Sequence, residues 1–254
     1  MTGPALNTPE ARQGLLRDRA AAGAALVLAD LAREFGVSPD TIRRDLLALE
    51  TGGVVQRVRG GALPVSRPVR PLRERLQTAN PVAERLAAAA LPLIEDGMVL
   101  LMDGGTTVIR LAQSLPPLPR ALVVTPTPAI AMATLGAGIE TMLIGGRISP
   151  FGGIAVGADA VAAVERVVAD LSFLGACGLN ADFGLSADDI DEAALKRAMA
   201  GSGRRSIVMT GQAKLGRRAR HRVCGCDELD ILITDAPRET AAPFIERGLD
   251  VRTV

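Results

Sequence analysis

No stretch of this 254-residue chain reaches the roughly 18 uninterrupted apolar residues that a membrane-spanning helix needs. The richest, Leu86 to Leu101, is broken by Pro92, Glu95 and Asp96. The N-terminus is polar, carries Glu10 and Arg12, and has no apolar signal-peptide core. A soluble, cytoplasmic protein without membrane contact is expected. Cysteine is scarce too: Cys177, Cys224 and Cys226 cannot make a disulfide framework. His221, the single histidine, stands near the last two, but a metal site needs a fourth ligand and wider spacing than Cys-x-Cys provides. Buried thiols and a strand histidine are expected there, with no metal and no cofactor. Lysine is confined to Lys196 and Lys214. No Gly-x-Gly-x-x-Gly follows the first strand of the long C-terminal part, which disfavours a dinucleotide site. Internal repeats are absent.

What is present fits two domains. Hydrophobic residues make up 48% of the chain, ample for a buried core. The net charge is only +1, but it is unevenly spread. Residues 1–78 hold twelve Arg against eight Asp and Glu, leaving the remainder mildly acidic. A basic N-terminal third suits a DNA-reading module joined to something else. The division falls at Pro64-Val-Ser-Arg-Pro68-Val-Arg-Pro71, where three prolines fix the backbone and disfavour helix before them.

Before that linker the pattern predicts three helices. Pro9 to Ala22 is polar, with Leu15 and Leu16 turned inward. Leu26 to Phe35 places Leu28, Leu31, Ala32 and Phe35 on one face. Gly36-Val37 breaks it. Ser38 then caps a third helix that opens with Pro39 and Asp40, buries Ile42, Leu46 and Leu49, and ends at Gly52-Gly53. Val54 to Arg59, Gly60-Gly61 and Ala62-Leu63 read as a hairpin, with the positive-φ turn at the glycines and Arg57 and Arg59 on one side. Helix, Gly-containing turn, helix and basic hairpin form a winged helix-turn-helix. Its second helix lies in the major groove with N-terminal residues on base edges. The candidate DNA-binding residues are therefore Ser38, Asp40, Thr41, Arg43, Arg44, Arg57 and Arg59. Arginine holds guanine bidentately, the Ser38 helix start binds phosphate, and the wing arginines reach backbone or minor groove.

After the linker, helices and short strands alternate. Helices are expected at Pro81–Ile94, Thr106–Ser114, Thr127–Leu135, Asp188–Ala200 and Arg238–Arg247. Strands are expected at Met98–Met102, Ala121–Thr125, Thr141–Ile144, Leu171–Cys177, Ser206–Met209 and Leu229–Thr234. This order predicts a mostly parallel α/β sheet.

The run LADLAREFGVSPDTIRRDLLALETGGVVQRVRGGAL resembles the N-terminal signature of the DeoR family of sugar-catabolism repressors. MDGGTT, IGGR, FLGACGLNADFGLS and EAALKRAM resemble its C-terminal sensor domain, in the expected order. The resemblance implies a fold similar to sugar-phosphate isomerases and repression from double-stranded operator DNA. It also implies a homo-oligomer, dimer or tetramer, and release by a phosphorylated sugar or related metabolite. The domains are then 8–63 (DNA-binding), 64–77 (linker) and 78–254 (effector-sensing). The chain departs from the family twice: Thr125-Pro126-Thr127 replaces Thr-Asn-Ser, and Gly211 replaces an aspartate three residues before Lys214. Both changes remove polar groups from the expected pocket.

The residues themselves support a small anionic ligand. Asp103-Gly104-Gly105-Thr106-Thr107 lies at the carboxyl end of a buried strand and opens a helix, where α/β sheets bind ligands. The glycines let backbone approach a phosphate, helix amides and the two hydroxyls hydrogen-bond it, and Asp103 can accept from sugar hydroxyls. Gly145, Gly146 and Arg147 offer a second approach, and Lys214 a point charge. Glu192 and Lys196, spaced i,i+4, read as helix-surface support. No catalytic residue is assigned: isomerisation needs a positioned base, and Asp103 is the sole pocket candidate. An isomerase with an appended DNA-binding domain is one alternative, and an activator of the same architecture is another.

Overall fold

The computed structural model describes residues 8–21, 24–52, 54–64 and 72–254. Ala22, Gly53 and residues 65–71, which hold the expected end of the first helix, one helix stop and most of the linker, lie outside them. Contacts divide the chain into two units, 1–68 and 69–254.

The first unit is built from α1 (Pro9–Ala21), β1 (Leu26–Val27), α2 (Leu28–Phe35), α3 (Pro39–Thr51), β2 (Val55–Val58) and β3 (Gly61–Pro64). Ser38 caps α3: its hydroxyl accepts the Thr41 amide at 3.2 Å, and Pro39 opens the helix without losing a needed donor. Gly36, at φ 63°, closes α2 in the left-handed region. Leu16, Leu26, Leu31, Ile42, Leu46, Leu49 and Val55 fill the core. Each large aliphatic buried this way contributes about 1.5–3 kcal/mol.

Three details differ from expectation. Leu15 faces solvent at 39% exposure, and Arg12 takes the inward place beside Leu16. The second helix begins at Leu28, because Leu26 and Val27 pair with Ala62 and Gly61 as a third strand of the wing. That pairing moves the tight turn one residue back: Arg59 and Gly60 form it, Gly60 alone has positive φ, and Gly61 lies in β3. A Cβ on Gly61 would sit 2.0 Å from Leu26 O, so glycine is required there by strand packing.

In the second unit the chain runs through α4 (Leu72–Leu76), α5 (Pro81–Ala90), β4 (Val99–Met102), α6 (Thr106–Gln113), β5 (Leu122–Thr125), α7 (Pro128–Gly136) and β6 (Glu140–Leu143). It continues through β7 (Arg147–Ile148), β8 (Ala155–Val156), α8 (Ala158–Val164), β9 (Ala169–Gly175), β10 (Gly178–Asn180), β11 (Gly184–Ala187) and α9 (Ile190–Ser202). The last elements are β12 (Gly203–Met209), β13 (His221–Cys224), β14 (Ile231–Thr234), α10 (Arg238–Glu246) and β15 (Asp250–Thr253). Seven strands form one sheet in the order β15-β14-β12-β9-β4-β5-β6, every neighbouring pair parallel. Residues from α5, α6 and α7 cover one face and residues from α8, α9 and α10 the other. Burial on both faces explains why β4, β5 and β14 read as continuous apolar runs. β10, β11 and β13 make a separate antiparallel sheet, and β7 and β8 a short hairpin. His221 lies on a strand, and Cys224 and Cys226 are buried. Among the described residues no helix is long and apolar enough to cross a membrane.

This topology fixes where a ligand fits. From β4 the chain moves outward through β5 to β6, then β9 returns to the other side of β4. The carboxyl ends of β4 and β9 are therefore the crevice position at which such a sheet binds ligands, and the segments that follow them meet there, the Gly175 amide donating to Asp103 Oδ2.

Candidate functional site

In the first unit α3 presents its N-terminal side chains outward. Asp40, Arg43 and Arg44 are exposed and Thr41 is half-buried. The hydroxyls of Ser38 and Thr41 are 3.0 Å apart. Arg43 pairs with Asp40 one turn earlier, so its guanidinium is partly committed on the helix surface. No carboxylate pairs with Arg44 among the described residues. Arg57, on β2, is not free on the wing. Its Nε donates to Glu50 Oε2 at 2.7 Å and its amide to Glu50 Oε1 at 2.9 Å, which ties the wing to α3. These two bonds hold the Glu50 carboxyl below its ordinary range, backbone hydrogen bond first. Arg59 stands in the turn rather than beside Arg57 on the strand, and is exposed.

The orientation of α3 is fixed from behind. Arg12 Nε donates to Asp45 Oδ2 at 2.7 Å, with both side chains 4% exposed. Gln13 Nε2 donates to Asp45 Oδ1 at 3.1 Å. Sequence reasoning does not find this pair, because its members are 33 positions apart and no local spacing links them.

In the second unit the crevice gathers four sequence segments. Asp103 follows β4 and is wholly buried. Its Oδ2 accepts the Gly175 amide at 2.9 Å and the Lys196 ammonium, and Lys196 also donates to Gly175 O at 3.3 Å. Lys214 reaches the same strand end, donating to Ala176 O at 2.6 Å. Burial works against a charged Lys196, but Asp103, Cys177 and Glu192 outweigh it and raise its pKa. Lys214 is the reverse: burial lowers its pKa, and Arg75, Lys196 and Arg217 add to that while Cys177 opposes. Burial pushes the Cys177 thiol up against the pull of both lysines. Both lysines of the chain thus flank one sulfur at the end of β9.

Glu192 and Lys196 are not surface support. They are 6% and 5% exposed, because the face of α9 that carries them lies against the sheet's carboxyl end. Ser149 Oγ donates to Glu192 Oε1 at 2.7 Å.

The glycine loop is closely held. A Cβ on Gly104 would lie 2.1 Å from Ile154 Cγ2 and 3.2 Å from both Gly152 O and Thr127 Oγ1. Gly105, at φ 98°, leads into α6, whose first turn has no side-chain cap, so the amides there are open to a ligand. Two buried polar atoms in this crevice lack a hydrogen-bond partner: Asp103 Oδ1 and Thr127 Oγ1. Orphaned buried oxygens are rare and costly, and a polyol or anion in the crevice would answer them. Pro126 has no polar side chain to offer, and its carbonyl is taken by the Ala155 amide at 2.8 Å. Gly211 sits beside Asp235, whose Oδ1 accepts the Gln212 amide at 2.7 Å. Gly145 and Gly146 follow the edge strand β6, and Arg147 opens β7. Arg147 is exposed and pairs with Asp191 at 2.5 Å, so its charge is turned to the start of α9.

Comparison with known proteins adds the family. Residues 13–67 match the DeoR-like helix-turn-helix domain and residues 83–236 the DeoR C terminal sensor domain. The HTH-type transcriptional regulator GlpR of Haloferax volcanii is 32% identical over 81% of this chain and 81% of its own. The putative aga operon transcriptional repressor of Escherichia coli O157:H7 is 31% identical over 87% and 85%. Among solved structures, ribose 5-phosphate isomerase A from Methanocaldococcus jannaschii aligns with 56% of this chain and 55% of its own, at a TM-score of 0.39 and 15% identity.

Proposed function

The chain belongs to the DeoR family of transcriptional regulators, and on that premise we propose that it represses a carbohydrate-metabolism operon and leaves the operator when a phosphorylated metabolite fills the crevice. Residues 8–63 read DNA, the stretch from 64 connects, and the sensing unit, expected to begin at 78, takes in α4 from Leu72 onward. Arg44 and Thr41 contact base edges, Ser38 and the α3 amides a phosphate, and Arg59 the backbone beside the wing. Arg57 holds the wing to α3 through Glu50, and Asp40 holds the Arg43 side chain on the helix surface. Two copies place two α3 helices on successive major-groove faces, which makes a dimer or a multiple of it the working form.

The observation that carries the effector reading is the pair of orphaned buried oxygens, Asp103 Oδ1 and Thr127 Oγ1, beside an uncapped helix start and both lysines. A phosphate fits the Gly104–Thr107 amides, hydroxyls of the ligand fit the two oxygens, and Lys214 supplies charge. With Asp103 Oδ2 already taken by Lys196 and Gly175, the carboxylate serves as an acceptor and not as a base. Fluorescence anisotropy on DNA flanking the gene tests this reading, with pentose, hexose and glycerol phosphates added to the complex. Specific binding reversed by one phosphorylated compound, and not by its unphosphorylated parent, supports it. Isomerase turnover with those compounds, abolished by Asp103→Ala, would replace it with an enzyme.

A further inference from the structure

The short helix α4 stands at the start of the second unit and directly follows residues 65–71 in the chain. It is docked on the loop between β7 and β8. The Leu72 amide donates to Pro150 O at 3.4 Å, and Arg75 Nη2 donates to Phe151 O at 2.5 Å. A Cβ on Gly153 would meet Leu72 Cδ2 at 2.2 Å, so helix and loop are in direct contact. The other side of that loop belongs to the crevice. Gly152 O lies against Gly104, a Cβ on Gly152 would meet Glu192 Oε1 at 2.4 Å, and Ser149 donates to the same carboxylate. Loop 149–153 is thus packed between α4 and the candidate effector site.

Charge points the same way. The bond to Phe151 O sets the half-buried Arg75 guanidinium beside Gly152, the residue that packs on Glu192 and Gly104, and its attraction to Cys177 and Glu192 and repulsion by Lys214 agree with that place. Arg217 adds a further cation to Lys214's surroundings. Lys196 is answered by Asp103. Among the described residues no carboxylate pairs with Lys214 or Arg217. An anion of phosphate type would answer Lys214 and Arg217 together.

We propose that Arg75 is a ligand-contacting residue of the effector site, supplied by α4, so that an anion bound between the Gly104 loop and Lys214 fixes the helix that begins the sensor unit. The inference rests on the effector reading above and adds to it the residue that passes occupancy to the connecting segment. A ligand coupled to α4 acts on the connection by differential affinity for its docked form.

Amide hydrogen exchange on the full chain, with inorganic phosphate as the probe, tests it. In the wild type, phosphate slows exchange in the peptides covering 104–107 and 72–78 together. In Arg75→Gln, protection of 104–107 needs about ten times more phosphate, one factor of ten being a single lost charged contact of about 1.4 kcal/mol. In that variant 72–78 no longer responds. Arg75→Lys restores part of the response. Gly153→Ala, which pushes Leu72 off the loop, keeps the 104–107 response and loses that of 72–78. Equal response of 72–78 in wild type and Arg75→Gln overturns the proposal and leaves the effector reading standing. Protection of 104–107 without any change in wild-type 72–78 does the same. No protection anywhere in the wild type refutes the effector reading, and this proposal with it.

Discussion

Asp45→Ala is the substitution with the largest consequence for the DNA-reading unit, although Asp45 touches no DNA in the proposed mode. Its carboxylate is 4% exposed and accepts from Arg12 at 2.7 Å and from Gln13 at 3.1 Å. Removing one partner of a buried ion pair costs about 3–5 kcal/mol. A unit of roughly 60 residues has only about 3–9 kcal/mol of stability in total. In a domain of that size each kcal/mol moves the melting temperature by about 4–8 °C, so the loss amounts to roughly 12–40 °C. Calorimetry of the full chain reads this, with hydrogen exchange at Ile42, Leu46 and Leu49 assigning the shifted transition to α3. Arg12→Met with Asp45→Leu recovers most of the loss, because two apolar groups replace two desolvated charges. A change below about 1 kcal/mol for Asp45→Ala would refute the account. So would a double variant as unstable as the single one, since replacing both buried charges by apolar groups removes their desolvation cost.

The remaining expectations concern the two sites. Arg44→Ala weakens operator binding by about 1–3 kcal/mol and relaxes selection at one base, whereas Arg59→Ala weakens all sequences and lowers the salt slope by about 1; competition titrations at several salt concentrations separate them, and an unchanged operator affinity for Arg44→Ala removes the groove assignment. Gly104→Ala places a methyl 2.1 Å from Ile154 Cγ2, costs about 1–3 kcal/mol of overpacking, and abolishes release from DNA without affecting operator binding by the other unit; normal release would show that the loop does not hold the ligand. Lys214 has a lowered pKa, from burial first and then from Arg75, Lys196 and Arg217. The penalty on folding is therefore full below its folded pKa and is relieved as pH rises toward the ordinary lysine value. An anion needs the charged form, so its affinity falls as pH rises through that depressed pKa, and binding takes up protons. Calorimetric titration at a series of pH values up to the ordinary lysine value reads the slope, and Lys214→Arg, charged throughout, flattens it; a wild type whose slope matches that of Lys214→Arg at every pH rules Lys214 out as the ligand's cation.

Local rules made much of the fold legible. Ser38-Pro39 announces a helix start by its own chemistry, and Ile42, Leu46 and Leu49 announce the buried face by their spacing. The parallel sheet was legible because apolar runs such as Val99–Met102 and Ile231–Thr234 alternate with helical stretches. The wing was legible in outline, but its register was not. Leu26 and Val27 continue the helical period of α2, and only the distant partners Gly61 and Ala62 make them a strand. Arg59 moved from strand to turn for the same reason. The short elements α4, β7, β8 and β15 carry too few residues to show a period of their own.

The crevice illustrates the harder limit. Asp103 and the glycines after it are contiguous, and a strand followed by a glycine-rich helix start signals a ligand site by itself. Glu192 and Lys196 carry no such signal, because an i,i+4 acid and base on a helix is also what a solvated face looks like. What separates the two readings is the partner of each group: Lys196 meets an aspartate 93 positions away and Glu192 a serine 43 positions away. Spacing along one helix cannot encode that. The same holds for Arg12 and Asp45, 33 positions apart. In both units, then, the buried charges that fix the functional surface pair across elements, while the residues on that surface are the ones short-range patterns reveal. The exposed arginines of α3 could be named from sequence, and the aspartate that aims them could not. Substitutions at Asp45 or Lys196 should for that reason disturb function more than their silence in the sequence implies.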